Sequence, residues 1–440
     1  MALKLAVVGG GSSYTPELIE GILLRESHFP VAEIQLLDVD DQRGWEKVQI
    51  VAALANRMAK AKDQSVRIEA TLDPEKALSG ADFVVSQFRA GGLKARQRDE
   101  HIPLRYNMLG QETTGVGGFA NALRTVPQAL ELANRIDRYA PNAWLVNFTN
   151  PSGIVTEALL KHGWKKTVGL CNVAIGVEKG IAKALDVSED RITLEAMGLN
   201  HLTWMKVYLD GQEITAKILG LEEGAEIEGR PANLPQPEWP HELLESIAML
   251  PNGYLHYYYE YEHAVESEKE AVDRGEGTRA DRVIAIEREL FEMYADPNLT
   301  EKPALLSKRG GAYYSEAAVR LMVGLYTGES APQVLNVQNL GTYPELPDDA
   351  VVETACRIDH EGAHPLPAAP MPLTVRGIVQ GVKAYEMLTV EAARTGNHHK
   401  AYEALLVHPL VRSARAAEAV LGDILAENAQ YLPQFGTVHA

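Results

Sequence analysis

Cysteine is nearly absent: Cys171 and Cys356 are the only two among 440 residues. Two thiols cannot build a disulfide framework, which excludes the small secreted scaffolds and fits a reducing compartment. Long apolar runs are also missing. No stretch reaches the roughly eighteen apolar residues a membrane span needs. The opening MALKLAVVGGG has too short an apolar run, and no small-residue cleavage site, for a signal peptide. Cations are outnumbered, 42 Lys and Arg against 60 Asp and Glu, for a formal net charge of −18. That balance argues against nucleic acid, where a basic patch supplies most of the affinity. An anionic small molecule fits only if local arginines overcome the global field. Internal repeats and low-complexity tracts are absent too. A cytoplasmic protein with no membrane or nucleic-acid partner is expected.

What is present is a composition 46% hydrophobic and 23% charged, in a chain long enough for two domains. Buried-type runs at Leu3–Val8, Ile34–Leu37, Val66–Ala70, Asp82–Ser86, Trp144–Val146 and Val168–Leu170 alternate with helical patterns. Thr15 and Pro16 read as N-cap and first residue of a helix running to about Arg25, and Trp45, Val48, Ala52 and Ala55 mark a second helix. The expectation is an α/β fold: a Rossmann-like doubly wound parallel sheet over 1–190, then a mixed α+β domain over 191–440. In the second half, Arg191–Ile214 reads as two strands around an Asp210-Gly211 turn. Residues 222–240 read as a surface excursion. Helices are expected over 241–262, 278–294, 311–326 and 411–428, with strands at Gln333–Gln338 and Val351–Ile358.

The chemistry-bearing residues cluster after strand ends, where ligands of open parallel sheets bind. Gly9-Gly10-Gly11-Ser12-Ser13 lies between a strand and a helix, the context in which bare helix-start amides accept a pyrophosphate. The match to G-x-G-x-x-G is incomplete, since Tyr14 takes the third glycine's place. Asp38, ending the second strand, suits the ribose hydroxyls of NAD rather than NADP. Arg89 is a candidate anion clamp. Gln111, Glu112 and Thr113 stand in a Gly/Thr-rich stretch of the kind that surrounds sites. Asn147, Asn150, Cys171 and Asn172 follow two strand ends into one crevice, and we place Glu112 and Asn147 with the cofactor contacts.

The ordered set GQET, NFTNP, GLCN and GLNH, with LPNGYLHYYYE and GTRAD, resembles family 4 glycoside hydrolases, and within them the 6-phospho-β-glucosidases, over nearly the whole chain. The resemblance implies redox-assisted elimination, an exception to the two-carboxylate scheme. NAD oxidises sugar carbon 3, a base removes the acidified proton on carbon 2, the aglycone leaves, water adds, and the hydride returns. It also implies a divalent ion, commonly manganese, on Cys171 and His201. Tyr254 matches the base, with Tyr258 as fallback on a shared helical face with Tyr257 and Tyr261. Arg89, Asn150 and Arg279 match sugar-phosphate contacts, and Asn172 and Asn200 would orient hydroxyls. Ala174 replaces the family's common proline after the cysteine. Asn172, where α-specific relatives carry aspartate, favours β-linkages and leaves the leaving-group acid unassigned. A phosphorylated disaccharide or aryl glycoside is the expected substrate, and a homodimer or homotetramer the expected assembly. A hydroxy-acid dehydrogenase, a family sibling acting on unphosphorylated α-galactosides or glucuronides, and an NAD-sensing binding module are the competing readings.

Overall fold

Leu3–Val8 forms β1, whose side chains alternate between two buried faces. Leu5 and Val7 enter one core and Ala6 the opposite one, which is why the run reads as continuously apolar. The computed structural model describes residues 2–39, 42–221, 239–310 and 313–436. From β1 the first half runs through α1 (Thr15–Leu23), β2 (Val31–Leu37), α2 (Gln42–Ala61), β3 (Arg67–Thr71), α3 (Pro74–Leu78) and β4 (Phe83–Ser86). It continues with α4 (Gly92–Leu104), α5 (Gly115–Tyr139), β5 (Trp144–Asn147), α6 (Ser152–His162), β6 (Thr167–Gly169) and α7 (Val173–Ala184). These strands are parallel in the order β3-β2-β1-β4-β5-β6, with Val7 level with Leu36 on one side and Val85 on the other. Strand order reverses between β1 and β4, so a crevice opens beyond their carboxyl ends.

The second half opens with an antiparallel unit. It comprises β7 (Ile192–Leu199), β8 (Leu202–Leu209), the short β9 (Gln212–Glu213), α8 (Thr215–Leu221), α9 (His241–Ile247) and β10 (Leu250–Pro251). Helices α10 (His256–Tyr259), α11 (Tyr261–Asp273), α12 (Arg279–Tyr294), α13 (Leu306–Arg309) and α14 (Tyr314–Thr327) follow. Then β11 (Gln333–Gln338), β12 (Val351–Asp359) and β13 (Gly362–Pro365) join antiparallel to β6, extending the first sheet to nine strands. Helices α15 (Leu373–Thr395), α16 (His398–Val407) and α17 (Ala414–Glu427) are the last α-helices among the described residues, followed by two 3-10 turns. Leu290 and Tyr294 of α12 and Leu321 of α14 share a core with α1, α2 and the sheet, while α15 to α17 pack with α5 around Phe119, Tyr385 and Leu421. The C-terminal half thus buttresses the N-terminal sheet as well as forming its own layer.

Several local expectations are corrected. Thr15 is the first helical residue and not the cap: Tyr14 occupies that position, and the Thr15 hydroxyl donates to the Gly10 carbonyl instead. The main hairpin turn is Asn200-His201, between β7 and β8; Asp210-Gly211 turns only into the two-residue β9. The helix expected over 241–262 is interrupted. Proline lacks the amide a helix needs, and at Pro251 the chain pairs with β8 before Asn252 caps a new turn by accepting from the Tyr254 amide. Tyr254, Tyr257, Tyr258 and Tyr261 therefore spread over three short elements and do not form one helical face. The expected excursion at 222–240 and the start of the helix at 311–326 fall partly on residues 222–238 and 311–312, outside the described residues. Helices α8, α11, α13, α15 and α16 add to the expected set.

Candidate active site

A cleft of about 1250 Å³ lies over the carboxyl ends of the parallel strands. Gly9, Gly11, Ser12, Asp38, Arg89, Glu112, Asn150, Asn172 and Tyr254 line it; Gly10, Ser13, Asn147, Cys171, Asn200, His201 and Arg279 are not among the lining residues.

The glycine loop is shaped by close approach. Gly9 has φ +86°, and a Cβ there would lie 2.8 Å from the Phe88 backbone. At Gly11 a Cβ would meet the Asp38 carboxylate at 2.6 Å, where the Gly11 amide instead donates to Asp38 Oδ2. Loop and acid are thus one unit, and Asp38 stands at the strand end where a ribose diol is gripped. The second half braces this unit from α12. The Ser13 hydroxyl donates to Glu287, Tyr294 donates to the Ser13 carbonyl at 2.7 Å, and Lys47 pairs with Glu287.

Asn147 serves the protein itself. Its Oδ1 accepts from Ser86 at 2.8 Å and from the Thr149 amide at 3.1 Å, while Nδ2 donates to Thr156. Its backbone carbonyl accepts from Leu170. It braces the NFTNP turn, which carries Asn150 to the cleft and contains a cis Asn150–Pro151 bond.

The cleft is locally basic although the chain is acidic. Arg89 and Arg96 both pair with Glu112, and Arg96 also with Glu100 at 2.8 Å. Burial disfavours charge on Glu112, but Arg89, Arg96 and Arg309 outweigh it and hold the carboxyl below its ordinary value. Burial, and after it Arg96 among the neighbouring cations, lowers Arg279. Arg279 Nη2 donates to the carbonyls of Lys308 and Arg309, while its buried Nε has no partner among the described residues. Arg309 lies 4.5 Å over the Tyr14 ring, and its Nε is likewise unpartnered. Arg309 lines the cleft and Arg279 holds its carbonyl, so both guanidinium groups add to the positive charge at this end of the cleft.

His201, in the hairpin turn, has φ +61° and stacks face to face on Tyr254, with ring centroids 3.6 Å apart and an 8° interplanar angle. Burial pushes its pKa down to about 3, so the imidazole is neutral. Cys171 shares a buried cluster with Tyr254 and Tyr257. Burial first, and then the charge of Glu353, pushes the Cys171 thiol up; donors from the Val173 and Asn172 amides and the Asn200 side chain pull the other way. Tyr254 links the two groups, stacking on the neutral imidazole and sharing a buried cluster with the thiol; an imidazole and a thiol together suit a divalent cation, which would displace the thiol proton. Among the described residues no group of three His, Cys, Asp or Glu side chains could hold a metal. Two protein ligands alone would leave the remaining positions of a bound ion for substrate oxygens or water.

Sequence reasoning missed Arg96, Arg309 and Glu353. Glu353, on β12, accepts from Asn200 at 3.0 Å, Asn336 at 3.3 Å and Thr203 at 3.2 Å, and Asn252 donates to Thr203 at 2.9 Å. It therefore ties the hairpin bearing His201 to the turn bearing Tyr254. A lone acid amid the apolar residues of VVETACRI was the signal; Arg309, at the end of a four-residue helix, carried none.

Comparison with known proteins agrees with this architecture. The family model described as family 4 glycosyl hydrolase matches residues 4–187, and that of the family's C-terminal domain matches residues 196–411. A probable 6-phospho-beta-glucosidase of Bacillus subtilis is 45% identical over 435 residues, 98% of each chain. The 6-phospho-beta-glucosidase of Escherichia coli is 37% identical, covering 98% of this chain and 97% of that one. The structure of the Thermotoga maritima 6-phospho-beta glucosidase, described with manganese, NAD+ and glucose-6-phosphate, superposes with a TM-score of 0.88 at 36% identity, covering 98% of this chain and 99% of the other. With both halves of its length matched and its relatives aligned end to end, this chain belongs to the family 4 glycosyl hydrolases.

Proposed function

We propose that the chain hydrolyses 6-phospho-β-glucosides by NAD-dependent oxidation at sugar carbon 3, proton abstraction at carbon 2, loss of the aglycone, addition of water and re-reduction. The observation carrying this is one cleft lined at once by a dinucleotide-type glycine loop with Asp38 and by Arg89, Asn150, Asn172 and Tyr254. The similarity to enzymes named for this substrate supports it.

When bound, NAD supplies a reversible hydride acceptor, and a divalent ion supplies a Lewis acid for oxyanion charge on the sugar. Gly9 to Ser13 present the loop to the pyrophosphate and Asp38 holds the ribose, with Glu112 beside them. Arg89, Arg279 and Asn150 grip the substrate phosphate, fixing the ring so that carbon 2 faces Tyr254. Tyr254 removes that proton as phenolate; stacking on His201 fixes its ring plane. Cys171 and His201 hold the ion, and Asn172 and Asn200 orient hydroxyls. Asn172 offers no carboxyl to protonate a leaving group, in keeping with β-linkages.

In this reading residues 1–190 carry the cofactor, and residues 191–440 complete the substrate and metal site and the assembly surface. No described helix is long and apolar enough to cross a membrane. Two buried free cysteines suit the cytoplasm. A homodimer or homotetramer is the assembly this reading carries.

The test is release of p-nitrophenol from paired α- and β-linked, phosphorylated and plain aryl glucosides, with and without NAD and Mn²⁺. Only the phosphorylated β-glucoside, with both additions, should react, and NAD should act catalytically. Stoichiometric NADH would point to a dehydrogenase instead.

A further inference from the structure

The loop before α5 contains a proton-ordering chain that ends on His201. Gln111 Oε1 accepts from the Thr113 amide at 2.6 Å and the Thr114 amide at 2.7 Å. Two backbone N–H donors identify that atom as oxygen, because an amide nitrogen could not accept from them. The Thr113 hydroxyl lies 2.9 Å from the same oxygen and 3.0 Å from His201 Nδ1. A hydroxyl has one proton. Given to Gln111 Oε1, which can only accept, it leaves Thr113 Oγ1 as the acceptor toward the ring, so Nδ1 must carry the hydrogen. The opposite arrangement would set two bare oxygen lone pairs against each other.

The chain is rigidly seated. Gly117 and Gly118 at the start of α5 lie so close to this loop that a Cβ would approach the Gln111 carbonyl oxygen at 2.2 Å and the Thr113 backbone at 2.5 Å. The Tyr254 ring stacks on a face of the His201 imidazole.

We propose that Gln111 and Thr113 are positioning residues that fix His201 as the Nδ1–H tautomer, leaving Nε2 as the nitrogen that binds the divalent cation. This rests on the proposed metal-dependent function and assigns the atom that serves it. An outer partner that fixes a ligating imidazole's tautomer sustains metal affinity, and its loss costs about 10- to 100-fold.

The test uses the full-length enzyme saturated with NAD. Nitrogen NMR of ¹⁵N-histidine-labelled protein without metal reads the tautomer, and EPR titration reads Mn²⁺ affinity. His201 should show a protonated Nδ1. Thr113→Val should weaken Mn²⁺ binding about tenfold or more with NAD affinity retained, and Thr113→Ser should restore it. A protonated Nε2 in the wild type, or Mn²⁺ binding in Thr113→Val as tight as in the wild type, would overturn the proposal. A protonated Nδ1 with no Mn²⁺ affinity in the wild type would support the tautomer assignment and overturn the metal reading of the function.

Discussion

Glu353 gives the sharpest quantitative test of how the site is held. It is 3% exposed, and burial, opposed by its donors Asn200, Thr203 and Asn336, pushes its pKa up to about 7, with Glu386 adding to the rise. An acid whose folded pKa lies above its unfolded value loses stability as pH rises. The full contribution is present below the ordinary value of 4.5 and is gone above about 7. At about 1.4 kcal/mol per pH unit, the loss is roughly 3 kcal/mol in all, most of it between about pH 5 and pH 8. Glu353→Gln has nearly the same shape but does not titrate. Turning one accepting oxygen into an amide costs about 1–3 kcal/mol in hydrogen bonding, at any pH. Urea unfolding of wild type and Glu353→Gln at both pH values isolates the titration, because other ionisations cancel in the comparison. The variant should gain roughly 2–3 kcal/mol relative to wild type on going from the lower pH to the higher. A stability difference that is the same at both pH values would refute the reasoning.

Other perturbations have clear signs. Cys171→Ser should abolish stimulation by Mn²⁺ in the aryl glucoside assay while NAD binding persists; a wild-type manganese response would remove Cys171 from the site. Arg279→Ala should raise KM for the phosphorylated substrate about 10- to 100-fold, since a hydrogen bond to a charged group is worth about 1.5–3 kcal/mol; an unchanged KM would place the phosphate elsewhere. Asp99→Ala should cost about 3–5 kcal/mol in urea unfolding, because Asp99 and Arg124 form a fully buried two-point pair at 2.8 and 2.6 Å and the guanidinium would be stranded. A loss under about 1 kcal/mol would show that the pair is dispensable.

Parallel strands were legible because burial on both faces writes them as uninterrupted apolar runs, as at Leu3–Val8 and Trp144–Val146. The glycine loop and Asp38 followed from their place at strand ends. What periodicity could not show was that β11 to β13 return to the N-terminal sheet, since pairing partners far apart in sequence leave no local mark. Asn200-His201 was hidden as a turn because neither residue is glycine; His201 takes a left-handed conformation that the Asp210-Gly211 pair advertised more loudly. Pro251 was the signal that should have divided the helix expected over 241–262. Among site residues, motifs led to Asp38, Arg89, Asn150 and Tyr254, but Arg96 and Arg309, which also line the cleft, and Glu353, which ties its supports together, came from elements with no motif of their own.

The most direct measurement of the central claim is the isotope content of the sugar released when a phosphorylated β-glucoside is hydrolysed in D₂O with NAD and Mn²⁺. If Tyr254 removes the carbon 2 proton in each turnover, the glucose 6-phosphate formed should carry deuterium at carbon 2. Product with protium fully retained there would contradict the account.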